Sequence, residues 1–339
     1  MLLTQDGLVN GAIYALLALA LILVFTVTRI IFVPQGEFVT YGALTLALLQ
    51  QGIVPATVLL LLAAGVMAAA LELWSGLRSP HRRRSVTLAM LYTGYPALLS
   101  YSLYYHIGAP ANVAAQVLVT LAIIVPLGPI LYRVVFQPMA NASVLVLLIA
   151  AVALHLVLMG GGLLAFGPEG GRTSPLIQAN FDVGVMTVTG QSLATLAASM
   201  LLIAVLFLAF RHTLRGKALR ATAVNSVGAR LVGVSPETAG AICFTLAALV
   251  GAVSGILISS ITTIYFDTGL LIALKGFIGA IMGALGSYPL GALGALVVGQ
   301  IEAFSSFWWS AFKEAILFAS ILPILLWLSI THPATGDEE

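Results

Sequence analysis

Charge is scarce in this 339-residue chain. Asp, Glu, Lys and Arg make up 8% of it, against about 25% in an ordinary soluble domain. So little charge cannot cover a water-exposed surface of this size. It excludes a soluble globular enzyme, a disordered chain and a nucleic-acid binder with a basic face. Cysteine is scarcer still: Cys243 stands alone in an apolar stretch. An intrachain disulfide is thereby excluded, as is a zinc or iron–sulfur site built on cysteines. No Lys or Arg precedes Arg29. The basic region of a cleaved signal peptide is thus missing, and the first apolar run reads as a permanent span.

Catalytic signatures are missing too. No G-x-x-x-x-G-K-[ST] stretch is present to cradle phosphates, so the chain shows no ATP site of its own. There is no H-E-x-x-H zinc helix, and His81, His106, His155, His212 and His332 have no metal spacing. The segment G-A-V-S-G (251–255) lacks the G-x-S-x-G nucleophile spacing. It reads as a packing face, and nothing supports catalysis by this chain.

What is abundant is apolar surface. Hydrophobic residues make up 60% of the chain, mean hydropathy is +1.10, and there are 33 glycines. The spacing of apolar runs predicts an all-α, polytopic transmembrane helical bundle of about 11 spans, with the lipid bilayer as its main solvent. The runs lie near 7–28, 34–50, 53–74, 86–106, 112–132, 141–165, 190–210, 239–262, 270–286, 290–306 and 313–330. The second and tenth are short and read as possible broken or re-entrant helices. Placing the loop 211–238 in the cytoplasm puts Arg211, Arg215, Lys217, Arg220 and Arg230 inside. Alternation adds Arg29, Arg78, Arg82, Arg83, Arg84 and Arg133, leaving few of the 14 basic residues elsewhere. The positive-inside rule then sets the N-terminus outside and the C-terminal tail inside.

Ionisable residues within spans are costly and need a partner, a cavity or a route to the interface. Lys275 and Glu302 read either as groups that share an outward cavity or pair with each other, or as a snorkelling lysine and an ordinary helix-end glutamate. Glu37 follows Pro34-Gln35-Gly36 at the start of a helix, where the dipole favours a carboxylate. Glu72 reads as a structural partner for nearby Arg78. In the loop 211–238, residues 218–223 and 229–232 suit short helices, with Asn225-Ser226 as turn or cap and Ser235-Pro236-Glu237 as the start of the next span. Its basic residues, with Leu219, Leu231 and Val232, suit either a soluble partner or the membrane surface.

This loop carries a resemblance. A-L-R-A-T-A-V-N-S-V-G-A-R-L-V-G-V (218–234) resembles the ATPase-docking segment of branched-chain amino acid ABC importer permeases. Further stretches are similar to the same family in the same order: G-L-V-N-G-A-I-Y-A-L-L-A-L (7–19), R-I-I-F-V-P-Q-G-E-F (29–38), L-Y-R-V-V-F-Q-P-M (131–139), F-G-P-E (166–169) and L-K-G-F-I-G-A-I-M-G-A-L-G-S-Y-P-L-G-A-L-G-A (274–295). The resemblance implies a multi-pass permease subunit of the bacterial inner membrane. Its implied partners are a second, related permease, two cytoplasmic ATPases that carry ATP and Mg, and a periplasmic substrate-binding protein. No cofactor would be bound by this chain itself. The implied cargo is a branched-chain amino acid or a related small substrate. The coupling role would fall on Ala218, Leu219, Arg220, Ala221, Thr222, Ala223, Asn225, Ala229, Leu231 and Gly233, and the pathway would draw on Gln35, Gly36, Glu37, Lys275 and Glu302.

The chain departs from the family pattern in places. Gln35 stands where H-G-E-F has its histidine. Residues 148–153 lack the threonine and glycine of L-I-A-T-I-G, with His155 two residues on. Residues 75–130 read as an inserted helix pair within a single permease domain of 1–339. Kept beside the importer reading is a self-sufficient carrier or channel that would use Lys275, Glu302 or Glu37 for ion coupling.

Overall fold

The computed structural model describes residues 2–77, 82–107, 112–183 and 186–331. Its helices are α1 (Leu2–Thr28), α2 (Gln35–Gln50), α3 (Thr57–Leu77), α4 (Arg82–Tyr101), α5 (Val113–Ile124), α6 (Leu127–Leu131), α7 (Val144–Phe166), α8 (Gly190–His212), α9 (Leu214–Val224), α10 (Ser226–Leu231), α11 (Pro236–Ile258), α12 (Thr268–Met282), α13 (Tyr288–Trp308), α14 (Lys313–Ala319) and α15 (Ile321–Thr331). A hairpin of β1 (Asn180–Val183) and β2 (Met186–Thr189) interrupts the connection between α7 and α8. It is a small departure from an all-helical chain. Arg78, His81, His332 and the C-terminal tail lie outside the described residues.

Among the described residues, seven helical stretches are long and apolar enough to cross a membrane: Leu2–Thr28, Thr57–Gly76, Val113–Met139, Val144–Phe166, Gly190–His212, Pro236–Ile258 and Tyr288–Trp308. The other expected segments are helical but shorter or interrupted. α4 contains Pro96 and runs on as a π-helical turn, Ser102–Ile107. The last segment is split between α14 and α15 at Ser320.

The short members differ from expectation. The tenth segment is the full-length α13, because its polar residues are satisfied within the bundle: Gln300 Nε2 donates to the Thr4 carbonyl at 3.0 Å and Ser305 Oγ to the Glu302 carbonyl at 3.1 Å. The ninth is the short one. α12 ends at Met282, and Ala284 and Leu285 follow with φ of 50° and 53°. Left-handed backbone stops a helix even in an apolar run.

α1 is the central post: 83% of its apolar window is buried, against 17% for α8. It packs against α8, α11, α12 and α13. The outer helices turn large apolar side chains outward, among them Leu164, Met200, Leu201 and Phe207. Such a rim is stable only where lipid is the solvent. One end of the bundle gathers Thr26, Phe210 and Tyr288; the Phe210 and Tyr288 rings stack at 6.0 Å and Thr26 Oγ1 lies 3.4 Å from the Tyr288 hydroxyl. The same end carries the 211–238 segment.

α2 begins inside the bundle. After α1 the chain reverses at Arg29 and threads back through buried Ile30 and Phe32. The Phe32 ring meets those of Phe38, Phe136 and Phe244 at centroid distances of 5.7, 6.0 and 4.7 Å. Gln35, first residue of α2, donates from Nε2 to the Ala247 carbonyl at 3.0 Å, halfway along α11. The 16 residues of α2 reach about 24 Å, too short for a hydrocarbon core of about 30 Å. A helix can start at this depth because protein surrounds it: Gln35 through Ala47 are all buried.

Candidate functional site

Two constellations of polar residues stand out, one within the bundle and one on its surface. The inner residues fall into two groups. In the first, Gln35, Gly36 and Glu37 open α2. Glu37 is 1% exposed, and its Oε1 lies 2.9 Å from Nδ1 of His155 on α7, without the alignment of a hydrogen bond. One turn on, the Tyr41 hydroxyl donates to the Leu158 carbonyl at 2.6 Å, fixing α2 to α7. Dipole capping is therefore not the whole account of Glu37, because its carboxylate is turned to another helix.

In the second group, Lys275 on α12 donates to Glu302 Oε1 on α13 and lies 3.4 Å from Glu314 Oε1 on α14. The Tyr14 hydroxyl on α1 donates to Glu302 Oε2 at 2.5 Å, and the Lys275 ammonium sits 5.9 Å from the Tyr14 ring centroid. Lys275 is 6% exposed, so it pairs inside rather than snorkelling. Of the two readings of Lys275 and Glu302, direct pairing is what the structure holds. Among the described residues no hydrogen bond or ion pair joins this group to Glu37.

Sequence reading did not bring His155 to Glu37, nor Tyr14 and Glu314 to Lys275. The available signal was that each is a polar residue in or beside an apolar run. Glu72 pairs with Arg133 rather than with Arg78: Arg133 Nε donates to Glu72 Oε1 at 2.5 Å, joining α3 to the turn after α6. Among the described residues no group of three His, Cys, Asp or Glu could hold a metal ion.

The surface constellation is built by caps. Thr213 closes α8 and opens α9, its Oγ1 accepting from Gly216 N at 3.0 Å. Asn225 ends α9 and caps α10, its Oδ1 accepting from Gly228 N at 2.8 Å. Gly233 takes φ 87°, and Val234 N returns to the Ala229 carbonyl at 2.9 Å. Ser235 then caps α11, with Pro236 in its first turn. These caps hold a helix–turn–helix across the end of the bundle.

Leu219, Thr222 and Ala229 are buried and seat the unit on the bundle, while Ala218 and Ala223 are half-buried. Arg220, Ala221, Asn225, Leu231 and Gly233 are exposed. An open groove of about 490 Å³ runs between α9 and α10, lined by Lys217, Arg220, Ala221, Val224, Asn225, Gly228, Ala229 and Val232. Its rim is basic and its floor apolar. Leu219 is thus not part of the exposed face, unlike Leu231 and Val232.

A lipid-faced bundle with a helix that starts at mid-depth, buried ion pairs and no catalytic constellation defines a membrane permease. A family model described as branched-chain amino acid transport system / permease component matches residues 83–326, and the chain belongs to that family. The high-affinity branched-chain amino acid transport system permease proteins LivH of Salmonella typhimurium and Escherichia coli are each 28% identical to it over 201 residues. That stretch is 57% of this chain and 65% of each relative, so the chain spans slightly less than two thirds of the LivH length. The corresponding permease protein BraD of Pseudomonas aeruginosa is 26% identical over 223 residues, 64% of this chain and 71% of BraD. No solved structure gives a significant match.

Proposed function

We propose that this chain is the translocation subunit of an ATP-driven importer in a bacterial inner membrane. It would move branched-chain amino acids, or a related small substrate, received from a periplasmic binding protein. A second, related permease completes the pathway, and two cytoplasmic ATPases bind ATP and Mg. The N-terminus faces outward and the loop 211–238 faces the cytoplasm. Residues 75–130 form an inserted pair of helices in the single permease domain.

One observation carries the reading: the capped α9–α10 unit presents a basic, apolar-floored groove at the end of the bundle that holds the 211–238 segment. An amphipathic groove on a rigid seat suits a soluble protein that must push on the helices behind it. Substrate in the outward state and ATP in the inward state would bias the two conformations by their different affinities for them. The test is co-purification. Arg220→Glu with Leu231→Glu should remove the ATPase from the complex while the permease stays folded. A complex that survives the double change removes the groove as the dock.

A further inference from the structure

Two helices too short to cross the membrane begin inside the bundle, and they begin against each other. A Cβ added at Gly36 of α2 would strike the Gly269 carbonyl of α12 and come within 3.0 Å of Ala273 Cβ. A Cβ added at Gly269 would come within 2.5 Å of the Gly36 carbonyl and of Thr40 Oγ1. The contact is reciprocal, and Gly36 meets Ala273 as Gly269 meets Thr40. The two helices are therefore antiparallel about a local two-fold relation, in which residue i meets j and j meets i. The chain leading into each glycine repeats the same pattern: Ile31-Phe32-Val33-Pro34-Gln35-Gly36 and Ile264-Tyr265-Phe266-Asp267-Thr268-Gly269. Each segment follows a long helix, α1 or α11. An inverted pair of interrupted helices is the arrangement that places a site at mid-membrane.

The junction holds unmatched polar atoms. Pro34 and Asp267, the residues that precede α2 and α12, provide no side-chain cap, so two positive helix ends converge unneutralised. Beside them both carboxylate oxygens of Glu37, the hydroxyl of Thr40 and Nδ1 of His155 have no hydrogen-bond partner among the described residues. Glu37, Thr40 and His155 are 1%, 0% and 5% exposed. A buried group left unmatched costs stability. An ionised carboxylate only accepts, so its missing complement is a donor, and a primary ammonium brings three N–H groups. The helix ends call for the opposite partner, an anion that accepts from backbone N–H groups.

Resting on the importer reading above, we infer that the α2–α12 junction is the intramembrane site for a zwitterionic α-amino acid. The ammonium of the substrate meets Glu37 and Thr40, and its carboxylate meets the N-termini of α2 and α12. His155 holds the Glu37 carboxylate while the junction is shut, as here. The site reads the charges common to all amino acids and not the side chain. Neutral amides and urea-like compounds, which lack both charges, are excluded as main substrates.

The experiment uses the complete transporter in nanodiscs, without its periplasmic receptor, and measures equilibrium binding of radiolabelled L-leucine. Competitors are 4-methylpentanoate, which lacks the ammonium, and isopentylamine, which lacks the carboxylate. Leucine uptake by cells that carry the same transporter and its receptor is measured in parallel. The wild type should bind leucine and be displaced poorly by either competitor. Glu37→Gln should weaken leucine by about tenfold or more, the value of one lost charge-assisted hydrogen bond, and should let 4-methylpentanoate compete on near-equal terms. Glu37→Asp should recover the discrimination, and the isosteric Thr40→Val should weaken leucine alone, so a poorly folding variant does not decide the matter. Wild-type affinity and discrimination in Glu37→Gln overturn the site. Uptake without binding by the wild type overturns the site and leaves the importer reading standing. Absence of both overturns that reading and the site with it.

Discussion

Lys275 and Glu302 close α12 onto α13 inside the bundle, and the Tyr14 hydroxyl holds the far carboxylate oxygen from α1. One buried cation thus ties three helices, with Glu314 of α14 at 3.4 Å as a fourth. Removing one partner of a buried pair strands the other, which costs about 3–5 kcal/mol, whereas removing both for apolar groups is often nearly neutral. Lys275→Met and Glu302→Leu should therefore each lower the thermal unfolding midpoint of the detergent-purified protein. The double variant should recover most of the loss. Additive losses in the double variant would mean that the two residues do not act as a pair.

Asn225 stands at the joint of the surface unit, ending α9 and capping α10 through Gly228 N. An isolated six-residue helix has no stability of its own, so α10 depends on that cap and on the seat of Ala229. Asn225→Ala should cost about 1 kcal/mol, concentrated in this unit. Backbone amides of Ser226 to Leu231 should exchange with deuterium faster while α1 and α11 are unchanged. Asn225→Asp, which retains a capping oxygen, should exchange as the wild type. Equal protection of α10 in Asn225→Ala would show that the cap does not hold the unit.

The membrane class was legible because it follows from composition, and the caps of the 211–238 segment because Thr, Asn and Ser before short apolar stretches have a local meaning. Depth was not legible. The run at 34–50 reads as a short span, but only Gln35 reaching Ala247 shows that α2 starts at mid-membrane. The run at 270–286 was overextended, since Ala284 and Leu285 are apolar and their left-handed backbone leaves no mark in hydropathy. The pairing of Glu37 with His155 was hidden for a different reason. It depends on which faces of α2 and α7 meet, and apolar runs buried on most sides carry little directional signal. The same holds for Glu72, whose nearest basic residues in sequence are not its partner in space.

Leu219 and Leu231 lie on opposite sides of the same unit, at 2% and 84% exposure, which separates folding from docking. Leu219→Ala deletes buried contacts and should lower stability by about 2–5 kcal/mol. Leu231→Ala should change stability by less than about 0.5 kcal/mol. Docking should respond in the opposite order. Leu231→Ala should weaken ATPase retention at unchanged unfolding midpoint, because a solvent-facing leucine on a basic rim gains burial only when a partner covers it. Retention should also fall as salt rises from about 0.1 M to 1 M, since Lys217 and Arg220 are exposed and the screening length shrinks from about 10 Å to about 3 Å. Both variants are read by thermal unfolding and by affinity capture of the ATPase at the two salt concentrations. Salt-independent capture, or a Leu231→Ala complex as tight as the wild type, would place the ATPase elsewhere on the bundle.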